Sequence, residues 1–280
     1  MKIVTKITEV REEIKKWKKE GFSVGFVPTM GYLHEGHKSL MTAARANNDK
    51  VVVSIFVNPM QFGPTEDLAN YPRDLERDSL LCEDAGVDMI FHPEAEEMYD
   101  IGFCSYVDMN GLTKELCGKS RPVHFRGVCT VVNKLFHIVQ PDRAYFGEKD
   151  AQQLAVIKRM VLDLNMDLEI IGCPIVREAD GLAKSSRNTY LTKEEREQAV
   201  ILSKSVALAK ELFTDGERKA AVIIEKMTQL IETMPLAKID YIQVVDTRTI
   251  EPLDMIETEA LVALAVQFGK ARLIDNITLR

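Results

Sequence analysis

The chain of 280 residues carries 36 basic and 43 acidic side chains, a formal net charge of -7. Hydrophobic residues make up 46% and charged residues 28%, which excludes low-complexity disorder and leaves enough apolar side chain for a sizeable core. The acidic balance argues against a nucleic-acid coat. The one lysine-rich stretch, Lys15, Lys16, Lys18 and Lys19, is interleaved with Glu12, Glu13 and Glu20, as on a solvated helix face. No apolar run reaches the roughly 18 residues of a membrane span, and Met1–Lys6 lacks the apolar core of a signal peptide. Cys82, Cys104, Cys117, Cys129 and Cys173 are an odd set without C-x-x-C, which predicts reduced thiols in a cytoplasmic protein.

In chain order, the apolar run Phe22–Pro28 predicts a strand and Lys38–Asn47 a helix. Val51–Val57 is β-branched and nearly continuous in apolar character, as in a buried parallel strand. Leu75–Ala85 reads as helix and Val87–Phe91 as strand. Val128–Val139 has helical spacing and is stopped by Pro141. Ala144–Phe146 is a short strand. Asp150 can cap a helix running to about Leu164 with Gln152, Gln153 and Lys158 on its wetter faces, and Leu168–Val176 is again a strand. This alternation predicts an α/β fold, a Rossmann-like doubly wound parallel sheet with ligands at the strands' carboxyl ends.

The pattern changes after Val176. Arg177–Thr192 is a polar loop, Lys193–Phe213 and Lys219–Met234 read as helices, and Ile239–Val245, Ala260–Val266 and Ala271–Ile274 as strands. Helices followed by strands predict a smaller C-terminal α+β domain, with domains 1–176 and 177–280.

Two elements stand out chemically. Met30, Gly31, Tyr32, Leu33, His34, Glu35, Gly36 and His37 lie between the first strand and its helix, where an α/β fold presents backbone N–H groups to an anion. His34 and His37, three apart, can point the same way at a helix start and stabilise charge on a leaving pyrophosphate. Two polar cap residues are the structural alternative. Zinc is the weaker reading, because the spacing is not H-E-x-x-H and no third ligand is evident. Lys184, Ser185, Ser186 and Arg187 offer donors suited to a polyphosphate, or form a solvated loop.

Together these elements resemble the HIGH and KMSKS signatures of the nucleotidyltransferase superfamily. More sharply, the chain resembles the pantothenate synthetase (pantoate–β-alanine ligase) family. The matching stretches are Pro28–Gly31 with His34 and His37, Phe56–Phe62, Tyr71–Arg73, Cys117–Pro122, His124–Val128, Phe146–Leu154 and Asp180–Asn188, in the expected order. Lys184 departs from some relatives, which carry an apolar residue there.

The resemblance implies condensation of (R)-pantoate with β-alanine, with ATP cleaved to AMP and diphosphate through a pantoyl adenylate. It also assigns roles. Met30 to His37 meet the ATP phosphates, His37 as proton donor with His34 beside it. Gly147, Glu148, Lys149, Asp150 and Val176 hold the nucleotide, Asp150 through the ribose. Lys184 to Arg187 close over the phosphates. Gln61 and Gln153 bind pantoate, Gln61 lies near the amine, and Asn58 and Arg121 add polar contacts. Mg²⁺ accompanies ATP, with Asp78 as ligand or simply a surface helix carboxylate.

From the residues alone, Gln61 and Gln153 could be ordinary polar side chains at element ends, and Lys149 and Arg121 solvated ones. His92 reads as structural, His137 as a core or interface residue, and the methionines as core filler. His124 sits in a matching stretch without a nameable role. The resemblance also implies a homodimer, and the loop Arg177–Asn188 with the small domain is expected to close toward the sheet when ATP binds. The alternatives are a nucleotidyltransferase without an amine acceptor, opposed by Gln61, Gln153 and Arg121, and a binding module without chemistry, opposed by the intact histidines and basic loop.

Overall fold

The computed structural model describes residues 1–64 and 66–280. The chain divides into two compact units. One comprises Met1–Met109, Val123–Glu148 and Val156–Pro174, the other Asn110–Pro122, Lys149–Ala155 and Ile175–Arg280.

The first unit holds a six-stranded sheet of β1 (Lys2–Val4), β2 (Val24–Thr29), β3 (Lys50–Ile55), β4 (Met89–Phe91), β5 (Arg143–Gly147) and β6 (Glu169–Cys173). All pairings are parallel, in the order β1-β4-β3-β2-β5-β6. Helices α1 (Ile7–Lys19), α2 (Glu35–Asn47), α3 (Leu75–Asp84), α4 (Ala95–Met98), α5 (Leu116–Ser120), α6 (His124–Val139) and α7 (Ala151–Asp163) lie between and beside these strands in the chain. The sheet is the expected Rossmann-like one. Its order reverses between β2 and β5, where Gly25 and Phe26 pair with Arg143 and Ala144. The carboxyl ends of these two strands are therefore where such a sheet receives a ligand.

Val51, Val52, Val53 and Ile55 of β3 are buried, as a strand covered on both faces requires. On one side Val27, Val51, Val53, Ile90 and Tyr145 pack with Leu40, Met41 and Ala44 of α2. Elsewhere Phe136 of α6 meets Phe26 and Phe146 edge-on at 6.4 Å. Lys15, Lys16, Lys18 and Lys19 of α1 are exposed while Val10, Ile14 and Trp17 are buried, so the lysine run is a solvated face.

The second unit is built on the antiparallel sheet β7 (Ala237–Val245), β8 (Ala260–Phe268) and β9 (Ala271–Leu279). Val262, Leu264, Val266 and Phe268 pack with residues of α8 (Lys193–Ala199), α9 (Ile201–Thr214) and α10 (Ala220–Ile231). Leu261 and Ala263 face the other way, onto Leu112, Leu116, Ala151 and Ala155. Burial on both faces explains why β8 reads as an unbroken apolar run.

Several boundaries move for physical reasons. β6 stops at Cys173 because Pro174 has no N–H to donate. The helix expected over Lys193–Phe213 lapses at Val200, although that residue keeps right-handed helical angles. α8 opens with a capping box, in which Thr192 N donates to Glu195 Oε2 at 2.8 Å and Glu195 N to Thr192 Oγ1 at 3.3 Å. α6 begins a turn earlier than its apolar spacing indicates, at His124. β1 is three residues long, too short for periodicity to register.

That first turn of α6 lies against the turn Pro59–Gln61. A Cβ on Gly127 would stand 2.3 Å from Met60 O and 2.5 Å from Gln61 N. Backbone on both sides leaves nothing flexible to give way. Gly127→Ala is expected to lower stability by about 1–3 kcal/mol, although alanine is the better helix former. Denaturant unfolding checks this, and an unchanged midpoint would mean that the two segments separate freely.

Candidate active site

In the first unit, β2 ends at Thr29 and leads into the Met30–His37 element. Thr29 Oγ1 donates to Ser54 O at 2.7 Å and accepts from Gly31 N at 3.2 Å. Asp78 of α3 is 1% exposed, so it is not a surface carboxylate. Its two oxygens accept from Tyr32 N at 2.7 Å and Leu33 N at 2.6 Å. Burial raises the Asp78 carboxyl pKa above its ordinary value, and the two N–H groups pull the other way. Cys82, one turn on, is pushed up to about 12 by burial and then by the Asp78 charge.

His34 is the N-cap of α2. Its Nδ1 accepts from Gly36 N at 3.1 Å, and His37 Nδ1 accepts from His34 N at 3.2 Å. A backbone N–H can only donate, so both Nδ1 atoms are unprotonated and each neutral ring carries its proton on Nε2. The rings lie 4.1 Å apart between centroids, tilted by 43°. The pair is thus both a cap and a set of oriented donors at a helix N-terminus, where anions are favoured.

Asn58 and Gln61 lie beyond β3. Asn58 is 1% exposed, and its Nδ2 donates to Gln61 Oε1 and Gly127 O, both at 3.1 Å. Gln61 Nε2 reaches Met30 Sδ at 3.1 Å, joining this turn to the histidine loop. His124 Nδ1 donates to Gln61 O at 3.0 Å, which supplies the role the sequence left unnamed. Gly147 ends β5, and Glu148 follows it, exposed.

In the second unit, Lys149 is half-buried and Asp150 exposed, in the turn before α7. Lys149 O accepts from Asn276 Nδ2 at 2.9 Å. Gln153 is half-buried. Its neighbour Gln152, expected on a wetter face, is buried instead. Its Nε2 donates to Leu112 O and Glu115 O at 2.8 Å, and its Oε1 accepts from Gly118 N at 3.3 Å. It therefore fastens the segment leading to Arg121, the C-cap of α5, onto α7.

Val176 O accepts from Lys184 N at 2.9 Å. Arg177 forms a two-pronged pair with Asp275 at 2.7 and 2.9 Å, and Asp180 pairs with Arg196 at 2.7 Å. Hydrogen bonding to Arg196 holds the Asp180 carboxyl below its ordinary pKa. Lys184 Nζ lies 3.6 Å from Glu178, and Ser185 Oγ caps the turn Ser186–Tyr190 by accepting from Arg187 N at 3.3 Å. The basic loop is therefore an ordered turn.

Of the other histidines, His92 Nδ1 donates to Ile55 O at 2.7 Å, a structural contact as expected. His137 is not in the core. It is exposed, with Nδ1 donating to Asn133 O one turn back, because it lies on the narrow solvent stripe of an otherwise buried helix. Met41, Met89, Met98, Met160 and Met227 are buried filler, whereas Met30 touches Gln61. All five cysteines are free thiols.

A Cβ on Gly36 would lie 2.8 Å from His34 Cε1 and 2.9 Å from its Nδ1. Gly36→Ala should therefore displace the His34 ring while removing a helical glycine, worth about 0.5–1 kcal/mol. The expected result is at least a tenfold loss of turnover with a melting temperature little changed, because the lost His34 cap offsets the gained helix propensity. Paired calorimetry and kinetics check it, and full activity would show the ring placement to be dispensable.

The family model described as pantoate-beta-alanine ligase matches residues 2–278. The pantothenate synthetase of Ruminiclostridium cellulolyticum is 63% identical over 278 residues, 99% of each chain. The crystal structure of pantothenate synthetase from Thermus thermophilus superposes with a TM-score of 0.94 at 47% identity, covering 99% of both chains. The pantoate-beta-alanine ligase of Francisella tularensis, solved with beta-gamma ATP and beta-alanine, gives 0.81 at 35% identity, covering 99% of this chain and 97% of that one. With a full-length family match and this sheet carrying the histidine pair, the chain belongs to the pantoate–β-alanine ligase family.

Proposed function

We propose that the chain catalyses ATP-dependent ligation of (R)-pantoate to β-alanine through a pantoyl adenylate. The full-length family match carries this reading. Pantoate's carboxylate oxygen attacks the α-phosphorus of ATP and diphosphate leaves. The β-alanine amine then attacks the acyl carbon, forming the amide and releasing AMP with the amine's proton. A free carboxylate is a poor acylating agent, so the chemistry needs alignment of reactants and neutralisation of phosphate charge.

The chain's own groups suit those tasks. In this reading Met30, Gly31, Tyr32, Leu33, Glu35 and Gly36 shape the phosphate loop. His37, with His34 beside it, donates from Nε2 to phosphate oxygens. The ring orientation set by the backbone N–H groups supports this. Lys184, Ser185, Ser186 and Arg187 supply further donors to the phosphates. Gly147, Glu148, Lys149, Asp150 and Val176 hold the nucleotide, with Asp150 on the ribose. Gln61 and Gln153 bind pantoate, and Arg121 and Asn58 add polar contacts, Asn58 also holding Gln61.

Mg²⁺ accompanies ATP in this reading and neutralises phosphate charge when bound. No group of three or more His, Cys, Asp or Glu among the described residues is placed to hold a metal ion. The reading has the ion carried mainly by phosphate oxygens and water. Asp78, proposed as its protein contact, already accepts two backbone N–H groups and has only its remaining lone pairs to offer.

No helix among the described residues is long and apolar enough to cross a membrane. Five free thiols support a reducing, cytoplasmic setting, and a homodimer is the expected assembly. Residues 1–176 bind nucleotide and acid in this reading, and 177–280 form the lid.

AMP release should require ATP, Mg²⁺, pantoate and β-alanine together, in step with pantothenate. Pantoate-dependent pyrophosphate exchange without amide would preserve adenylation and reopen the identity of the amine. His37→Ala should lower kcat by about 10²-fold or more with little change in melting temperature. An equal loss of fold would remove the catalytic assignment. Backbone amides of Arg177–Asn188 should exchange more slowly with ATP and pantoate bound, whereas unchanged exchange would count against closure.

A further inference from the structure

Gln61 has a carboxamide, whose two ends differ chemically: the oxygen accepts and the nitrogen donates. The structure settles which end faces which way through two backbone groups. Met60 N–H, which can only donate, reaches one side-chain atom of Asn58 at 3.3 Å, so that atom is Oδ1. Gly127 C=O, which can only accept, meets the other at 3.1 Å, so that atom is Nδ2. The remaining Nδ2 hydrogen points to Gln61 at 3.1 Å and must meet its oxygen. Gln61 therefore turns its NH₂ toward Met30, whose thioether is a weak acceptor that a substrate oxygen can replace.

Two further residues hold this arrangement. Tyr99 O–H lies 2.7 Å from Asn58 Oδ1, and because that oxygen only accepts, the phenol donates. Burial raises the Tyr99 pKa and so keeps that proton in place. Phe103 packs edge-on against the Tyr99 ring at 4.9 Å, with Phe56 at 6.2 Å. His124 pins the Gln61 backbone, since a carbonyl oxygen at 3.0 Å requires Nδ1 to carry the hydrogen.

We propose that Tyr99 and His124 are positioning residues which, with Asn58, set the polarity of the Gln61 carboxamide, so that its NH₂ selects an acid bearing hydroxyl oxygens. This rests on the reading that Gln61 binds pantoate. The opposite orientation would aim a carbonyl oxygen at an anionic substrate. A site built to hydrogen-bond a hydroxyl rejects the analogue lacking it, because its own polar group is then stranded. The network thus determines specificity without touching the substrate at Tyr99 or His124.

Steady-state kinetics of the full-length enzyme test this, with pantoate and with the analogues lacking either its 2- or its 4-hydroxyl. Tyr99→Phe removes one oxygen. It should raise the pantoate KM about tenfold. The preference for pantoate over at least one analogue should fall by a similar factor, with kcat and the ATP KM little changed. His124→Leu should act in the same direction. His124→Asn, whose Nδ2 can stand where Nδ1 stood, should restore most of the loss. Equal losses for pantoate and both analogues, a parallel rise in the ATP KM, or an Asn variant as damaged as the Leu variant would overturn the proposal. Melting curves establish folding, and if Tyr99→Phe does not fold, the His124 pair decides. Gln61→Ala separates the two levels. An unchanged pantoate KM there overturns the underlying reading, whereas a raised KM beside unaltered Tyr99 and His124 variants overturns only the positioning role.

Discussion

A carboxylate buried beneath the Met30–His37 loop is the contact on which the histidine element depends. Asp78 comes from α3, more than 40 residues along the chain, and both its oxygens face the backbone N–H groups of Tyr32 and Leu33. Those amides precede the N-cap of α2, so their placement determines where His34 begins the helix and which way both rings face. A buried anion left without such donors would be costly, and the amides buried without an acceptor nearly as much. The loop and α3 therefore specify one another.

The same logic recurs wherever a loop must be held still. Asn58 reads Met60 N, Gly127 O and Gln61 Oε1 at once. Gln152 reads Leu112 O, Glu115 O and Gly118 N. Each is a buried amide with backbone groups among its partners, and each lies next to a glutamine proposed to bind substrate. Carboxamides suit this work because they offer donors and an acceptor without a charge to desolvate. In the second unit a charged version does the same. Asp275, almost wholly buried, takes both prongs of Arg177, which also donates to Gly181 O, so the start of the basic loop is anchored to β9.

Much of the chemistry was legible in the residues. The histidine pair, the basic loop and the family motifs lie in short contiguous stretches, and contiguous patterns survive without a structure. The parallel sheet was legible because its inner strands, β3 above all, are buried on both faces and read as unbroken apolar runs. Less visible were residues whose work depends on distant neighbours. His124 had no nameable role because its partner, Gln61 O, lies 63 positions away. Gln152 reads as wet because its local helix pattern cannot reveal that Leu112–Gly118 covers it. Tyr99 attracted no attention in a segment without periodicity.

The sequence by itself therefore determined the fold class, the family and the motif residues, because each is written in local spacing of apolar, small and polar side chains. Only the tertiary structure decided how those residues are aimed. The tautomers of His34 and His37, the polarity of Gln61 and the burial of Asp78 follow from which donor or acceptor stands opposite. In most cases that partner is a backbone group, which nearly every residue type carries alike and which is therefore invisible in a string of side chains.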